Sequence, residues 1–233
     1  MAQILNCIRT GLEPLLMSRK ARAVTDEGLT YLSASKFRRI TAALRDVQCV
    51  PGDFVEFGVA LGGSAIVIAH QANGRRFHGF DVFAMIPEPS SEKDDEKSRR
   101  RYQAIKSGAS QGIKGATYYG YRTDLFSEVK EAFARHGVPV DGEKVLLHQG
   151  LFEETLPSAE LGTLAFVHLD CDWYDPVKFC LDRIADKLSP KGVIVIDDYH
   201  DYGGCRTAVD EFLSRRSDYS LEEGPNPVLR RTI

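Results

Sequence analysis

Along the chain, short apolar runs of strand length alternate with stretches whose apolar residues recur every three or four positions. Residues 34–47 place Phe37, Ile40, Leu44 and Val47 at helical spacing, and Pro51 and Gly52 then punctuate the chain. Residues 54–58, interrupted by Glu56, read as the first central strand. Residues 62–72 read as a helix opened by small residues, and 77–82 as a second strand, with Asp81 near its end. The same alternation predicts a helix at 125–136, strands at 144–149 and 164–170, and a helix at 176–188 stopped by Ser189, Pro190 and Gly192. A strand at 193–196, a helix at 207–215 and an edge strand at 228–233 complete the pattern. This order predicts an α/β fold, a mostly parallel sheet with helices on both faces. No internal repeat and no linker interrupts it.

Residues 84–122 break the rhythm. Pro87, Pro89, a charged run, and Gly108, Gly112, Gly115 and Gly120 among aromatics give no clean period. The segment reads as a long, partly helical insertion. Such segments in compact domains serve as lids or binding loops, the alternative being a disordered surface loop.

Composition narrows the function classes. The 233 residues, 43% hydrophobic and 27% charged, fit one globular domain, 1–233. A net charge of −3 and a pI near 6.1 argue against nucleic acid as a partner. Arg99, Arg100 and Arg101 follow Asp94, Asp95 and Glu96, and the mixed run reads as a solvated face. Cys7, Cys49, Cys171, Cys180 and Cys205 are odd in number and lack metal-type spacing, so a reducing cytoplasm is expected rather than a disulfide framework or a zinc cluster. Arg9 and Glu13 interrupt the apolar N-terminal stretch, which argues against a signal peptide. No run is long enough to span a membrane.

The first chemical signal is the turn after the first strand, with Gly58, Gly62, Gly63 and Ser64. Glycines there let a ligand approach the backbone, although they would also serve a plain sharp turn. The spacing is not GxGxxG, which weakens a nicotinamide-dinucleotide assignment. Glu56, just before the turn, would repel a pyrophosphate and suits a cationic ligand such as S-adenosylmethionine. Asp81 stands where an acid accepts hydrogen bonds from ribose hydroxyls.

The second signal is a set of aspartates. Asp170 and Asp172 end one apolar strand, and Asp197 and Asp198 end another. In a parallel sheet both ends face the same edge. Four converging carboxylates disfavour one another unless a cation offsets them, and oxygen-only ligands select Mg²⁺ or Mn²⁺. Capping of the following segment is the structural alternative for Asp197 and Asp198. His168 and His148 read as packing residues within strands. Cys171 and Cys205 read as small buried side chains. His200, after the Asp pair, is a candidate near the metal or substrate.

These residues resemble the macrocin O-methyltransferase family. The likeness lies in residues 53–64, in Leu169-Asp170-Cys171-Asp172-Trp173-Tyr174, in Ile196-Asp197-Asp198-Tyr199, and in Cys205 followed by residues 208–212. It extends over most of the chain from about Tyr31. The resemblance implies a Rossmann-like class I methyltransferase with a seven-stranded sheet, acting with S-adenosylmethionine and a divalent metal on a sugar hydroxyl. It implies metal ligands at Asp170, Asp197 and Asp198, and a general base at Asp172, with Asp170 and His200 as further catalytic candidates. Donor contacts are implied at Tyr31, Ser33, Glu56, Gly58, Gly62, Gly63, Ser64, Asp81, Gly150, Leu151, Phe152 and Asp170. Residues 1–33 would form an N-terminal lid segment, 84–122 a second lid, and the protein a homo-oligomer. The chain departs from the family pattern at Cys171, Asp175 and Pro176 and in the insertion, all of which bear on the acceptor. Competing assignments are a metal-dependent glycosyltransferase built on the DxD motif, a methyltransferase acting on a phenol or catechol, and a binding protein that has lost its chemistry.

Overall fold

The structure is a computed structural model and describes residues 17–233. Residues 1–16, with Cys7 and the first half of the expected N-terminal lid, lie outside the described residues. The helices and strands in chain order are α1 (Arg19–Glu27), α2 (Ala34–Asp46), β1 (Asp53–Phe57), α3 (Gly63–Gln71), β2 (Phe77–Asp81), α4 (Glu96–Lys106), α5 (Leu125–Arg135), β3 (Val145–Gln149), α6 (Phe152–Thr155), β4 (Leu164–Leu169), α7 (Tyr174–Ile184), β5 (Leu188–Ile196), α8 (Gly203–Arg215), β6 (Tyr219–Glu222) and β7 (Val228–Arg231). The strands form one seven-stranded sheet in the order β3-β2-β1-β4-β5-β7-β6. Five are parallel, and β7 runs antiparallel to both neighbours. All residues of β2 and β4 are buried, as expected of strands covered on both faces.

Successive side chains of each strand point to opposite faces and divide the core in two. Phe54 and Phe166 pack with Phe37, Ile40, Ile66 and Phe133 under α2, α3 and α5. Val55, Phe57 and Val167 pack with Leu181, Val209 and Phe212 under α7 and α8. The chain starts at β1, steps outward to β3, then returns to β4 on the other side. The crevice between β1 and β4 is therefore the topological switch point, where ligands of such sheets bind.

Several expectations change. Residues 228–231 do not form the edge: β7 lies between β5 and β6. The true edge strand, β6, has four residues and one buried side chain, too little apolar signal to stand out. β5 begins at Leu188, which already pairs with Leu164, and Lys191 at φ 68° marks the irregularity that made Pro190 and Gly192 read as a break. α8 starts four residues earlier than predicted, and α1 and α6 were not predicted.

The insertion is ordered around α4, two short 3-10 turns and a bridge between Gln111 and Thr117. Its charged run is not uniformly a solvated face. Glu96, Arg99 and Arg100 are exposed, but Asp94 is buried. Asp94 Oδ1 accepts the Tyr174 N–H at 2.9 Å. Asp95 Oδ1 accepts the Ser98 N–H and Oδ2 accepts the Gly203 N–H, both at 2.8 Å. Two adjacent carboxylates thus satisfy free N–H groups at the starts of α4, α7 and α8. Among the described residues no helix is long and apolar enough to cross a membrane.

Candidate active site

A cavity of about 660 Å³ opens at the carboxyl ends of β1, β2, β4 and β5, beneath the insertion. Its first half is built on the glycine turn. Gly58 has φ 90°, and a Cβ there would run into the carbonyl of Asp170, so the ends of β1 and β4 can approach this closely only with glycine at 58. Asp81 anchors the same turn: Oδ2 accepts the Ala60 N–H at 2.8 Å and Oδ1 accepts the Phe83 N–H at 2.5 Å. Burial pushes the Asp81 carboxyl up, and the backbone donors pull against that shift. Its carboxylate still borders the cavity and has acceptor capacity left.

Of the residues expected to touch the donor, Tyr31, Ser33, Gly58, Ser64, Asp81, Gly150, Leu151, Phe152 and Asp170 line the cavity. Gly62, Gly63 and Glu56 are not among its lining residues. At Gly62 a Cβ would press on Phe133 and Val129, and at Gly63 it would meet the Leu29 carbonyl, which accepts the Gly63 N–H at 2.9 Å. These two glycines let α3 pack against α5 and against the segment at 29–33 that walls the cavity. Glu56 is fully buried, with Oε1 taking a 2.6 Å hydrogen bond from His168 Nδ1. It lies behind the glycine turn rather than in the cavity. The Ser33 hydroxyl caps α2 through the Lys36 N–H.

The second half is acidic. Asp170, Asp172, Asp197 and Asp198 all line it, and Asp201 joins them. Burial, then repulsion from Asp197, Asp198 and Asp172, pushes the Asp170 carboxyl well up. Asp198 is raised for similar reasons. Burial would also raise Asp197, but the nearby charge of His168 and the charge and hydrogen bond of Lys36 hold it below the usual carboxylate range. Lys36 Nζ donates to Asp197 Oδ2 at 2.7 Å and to Asp201 Oδ2 at 2.9 Å. Asp172 stands at φ 59°, its N–H donating to Asp198 Oδ2 at 3.1 Å, and its carboxyl is pushed up to about 6 by burial, against the pull of Arg101.

The potential cation-binding atoms fall into two close groups that share Asp197: His168, Asp170 and Asp197, and Asp197, Asp198 and Asp201. The expected triad is thus brought together across two overlapping sets rather than as an isolated three. His168 is a poor ligand here. Burial opposes its charge, but its partners Asp197 and Glu56 prevail and push it up to about 9, and an imidazolium has no lone pair to give. The oxygen donors that remain fit a hard divalent cation, and such a charge would relieve the repulsion that raises Asp170 and Asp198.

His200 is also not among the lining residues. Its ring lies outside the cavity, with Nε2 bonded to the Gly224 carbonyl at 3.1 Å. Residue-by-residue reading missed Lys36, Arg101, Tyr118, Tyr119, Asp201, Tyr202 and the buried Asn226, whose Nδ2 is 3.5 Å from Asp197 Oδ1. Asp201 and Tyr202 follow an already suspicious Asp pair and were within reach. Lys36 and Arg101 carried no local signal. The cavity roof comes from the insertion: Trp173 Nε1 donates to the Pro87 carbonyl at 3.0 Å, and Trp173 meets Tyr202 edge-on at 5.1 Å. Cys171 and Cys205 are buried thiols, as expected.

The family profile described as "Macrocin-O-methyltransferase (TylF)" matches residues 18–221. An 8-demethyl-8-(2,3-dimethoxy-alpha-L-rhamnosyl)-tetracenomycin-C 4'-O-methyltransferase of Streptomyces olivaceus is 32% identical over 71% of this chain and 59% of its own length. A mycinamicin III 3''-O-methyltransferase of Micromonospora griseorubida is 30% identical over 76% of this chain and 65% of its own. The chain thus spans about three fifths of the length of these relatives. Among solved structures, the O-methyltransferase NovP superposes with a TM-score of 0.67 at 25% identity, covering 84% of this chain and 80% of NovP.

Proposed function

The chain belongs to the macrocin-O-methyltransferase family, and on that footing we propose that it transfers a methyl group from S-adenosylmethionine to a hydroxyl of a sugar on a natural product, with a divalent cation in the acidic half of its cavity. One observation carries this: the four aspartates at the ends of β4 and β5 border the same cavity as the glycine turn of β1 and Asp81 of β2. When bound, the donor supplies an electrophilic sulfonium methyl, and Mg²⁺ or Mn²⁺ supplies a Lewis-acidic centre for the acceptor oxygen.

The chain's own residues do the rest. Asp81 would hold the donor's ribose hydroxyls, Gly150, Leu151 and Phe152 would contact its adenine, and Tyr31 and Ser33 would contact the donor from the N-terminal side. Asp170, Asp197 and Asp198 would hold the cation. Asp172 accepts the proton of the acceptor hydroxyl at its carboxylate, which suits a base pushed up to about 6. Trp173, Tyr202 and the insertion exclude water and fix the angle of approach. A cytoplasmic location fits the free thiols, and the chain acts as a homo-oligomer, which sedimentation tests.

The test is methyl transfer from labelled S-adenosylmethionine to a panel of glycosides and phenols, with and without EDTA. Labelling of glycosides that EDTA abolishes is the expected result. Labelling of phenols only would replace the sugar acceptor, and labelling indifferent to EDTA would remove the cation. Thermal stabilisation by nucleotide sugars and not by S-adenosylmethionine would favour glycosyl transfer.

A further inference from the structure

Arg101 enters the cavity from the middle of α4. Its Nη1 donates to Ser110 Oγ at 3.0 Å, and its guanidinium lies 5.4 Å over the ring of Tyr118. The helix that carries it is itself fixed, since Asp95 ties the first turn of α4 to the start of α8. Among the described residues the other cation lining the cavity, Lys36, is committed to Asp197 and Asp201, whereas Arg101 makes no ion pair. A guanidinium has five N–H donors, and Ser110 uses one. The other four make no hydrogen bond among the described residues, and Arg101 lines the same chamber as Asp172, Trp173 and Tyr202. The field of Arg101 is felt at Asp172 and at Tyr202.

That pairing has a chemical complement. A carboxylate accepts from the hydroxyl that is to react, and a guanidinium donates to an oxygen that need not react. We propose that Arg101 is a specificity-determining residue: it donates to a second, non-reacting oxygen of the acceptor whose reacting hydroxyl is held by Asp172, so that the cavity selects acceptors carrying that oxygen. This rests on the methyltransferase reading, and it adds what that reading leaves open, the oxygen pattern of the acceptor. An acceptor lacking the second oxygen leaves a desolvated guanidinium without a partner, and sites built to hydrogen-bond an oxygen reject analogues lacking it strongly.

Trp173 is the sole tryptophan of the chain and lines this chamber, so its fluorescence reports occupancy there. The experiment uses the full chain with S-adenosylhomocysteine and Mg²⁺, titrated with methyl α-L-rhamnopyranoside and with its monodeoxy analogues. The wild type should bind the parent glycoside about 10-fold or more tightly than at least one deoxy analogue. Arg101→Met should bind parent and analogue equally, Arg101→Lys should recover part of the preference, and neither should change the affinity for S-adenosylhomocysteine. Equal preference in Arg101→Met and wild type overturns the proposal, as does a wild type that binds S-adenosylhomocysteine but no glycoside. A wild type that fails to bind S-adenosylhomocysteine overturns the methyltransferase reading first, and the role of Arg101 with it.

Discussion

Asp172 is held at φ 59° by its own N–H bonding to Asp198, a conformation that a non-glycine residue adopts only when its surroundings impose it. Burial, with the charges of Asp197 and Asp201, pushes its carboxyl up to about 6 against the pull of Arg101 and Lys36. Asp172→Asn keeps the shape and removes the base; methyl transfer should fall by roughly 10²–10⁴-fold, while calorimetry finds the affinity for S-adenosylhomocysteine unchanged. In the wild type the rate should fall as the pH is lowered and this carboxylate takes up its proton. His168 sits deeper, bonded to Glu56 at 2.6 Å and 3.7 Å from Asp197. His168→Leu strands Glu56 in the core without its partner. Urea unfolding should register a loss of roughly 3–5 kcal/mol or a failure to fold. A loss under about 1 kcal/mol would mean that Glu56 finds another partner or a proton.

At the scale of elements, the insertion is held by specific contacts. Asp94 and Asp95 reach the first N–H groups of α7 and α8, the helices that follow the aspartate-bearing turns after β4 and β5. The charged run that contains them looks solvent-facing in sequence because nothing local distinguishes a carboxylate in water from one capping a distant helix. Asp95→Ala removes caps from α4 and α8 together and should cost about 1–2 kcal/mol, with faster hydrogen exchange at 203–206. Asp95→Asn keeps acceptor oxygen and should recover part of both. Hydrogen exchange at 203–206 that matches wild type in Asp95→Ala would show the clasp to be dispensable. The missed edge strand β6 obeys the same logic, since its pairing with β7 is set by neighbours and not by its own short pattern.

For the whole molecule, the cavity gathers carboxylates that the fold pushes up. Asp170, Asp172 and Asp198 all have folded values above their ordinary ones. For such groups the stabilising contribution is present below the unfolded value and lost as pH rises through the folded one. His168, pushed up to about 9, acts in the same direction at higher pH, whereas the buried His78, pushed down to about 4, opposes it in acid. A difference measurement separates these effects. The rise in Tm on adding Mg²⁺ should be larger at about pH 8 than at about pH 5, because the ligands must be deprotonated. An equal rise at both, or none, would place the cation elsewhere or nowhere.

The sequence by itself determined the central architecture and the chemistry of the edge. Apolar runs mark β1, β2, β4 and the second half of β5 because strands buried on both faces leave them, β3 at the sheet edge being only partly buried, and a parallel order then puts Gly58, Asp81, Asp170 and Asp197 on one side. Only the tertiary structure decided which groups meet them. Lys36 is 161 residues from Asp197 along the chain, and Glu56 is 112 from His168. Arg101 differs from exposed Arg100 only in the face of α4 it occupies. Periodicity reports how each element buries itself, whereas partnership between polar side chains depends on the packing of elements distant in sequence, and so Arg101 and Lys36 line the cavity without any local signal, while Glu56 and His200 do not line it.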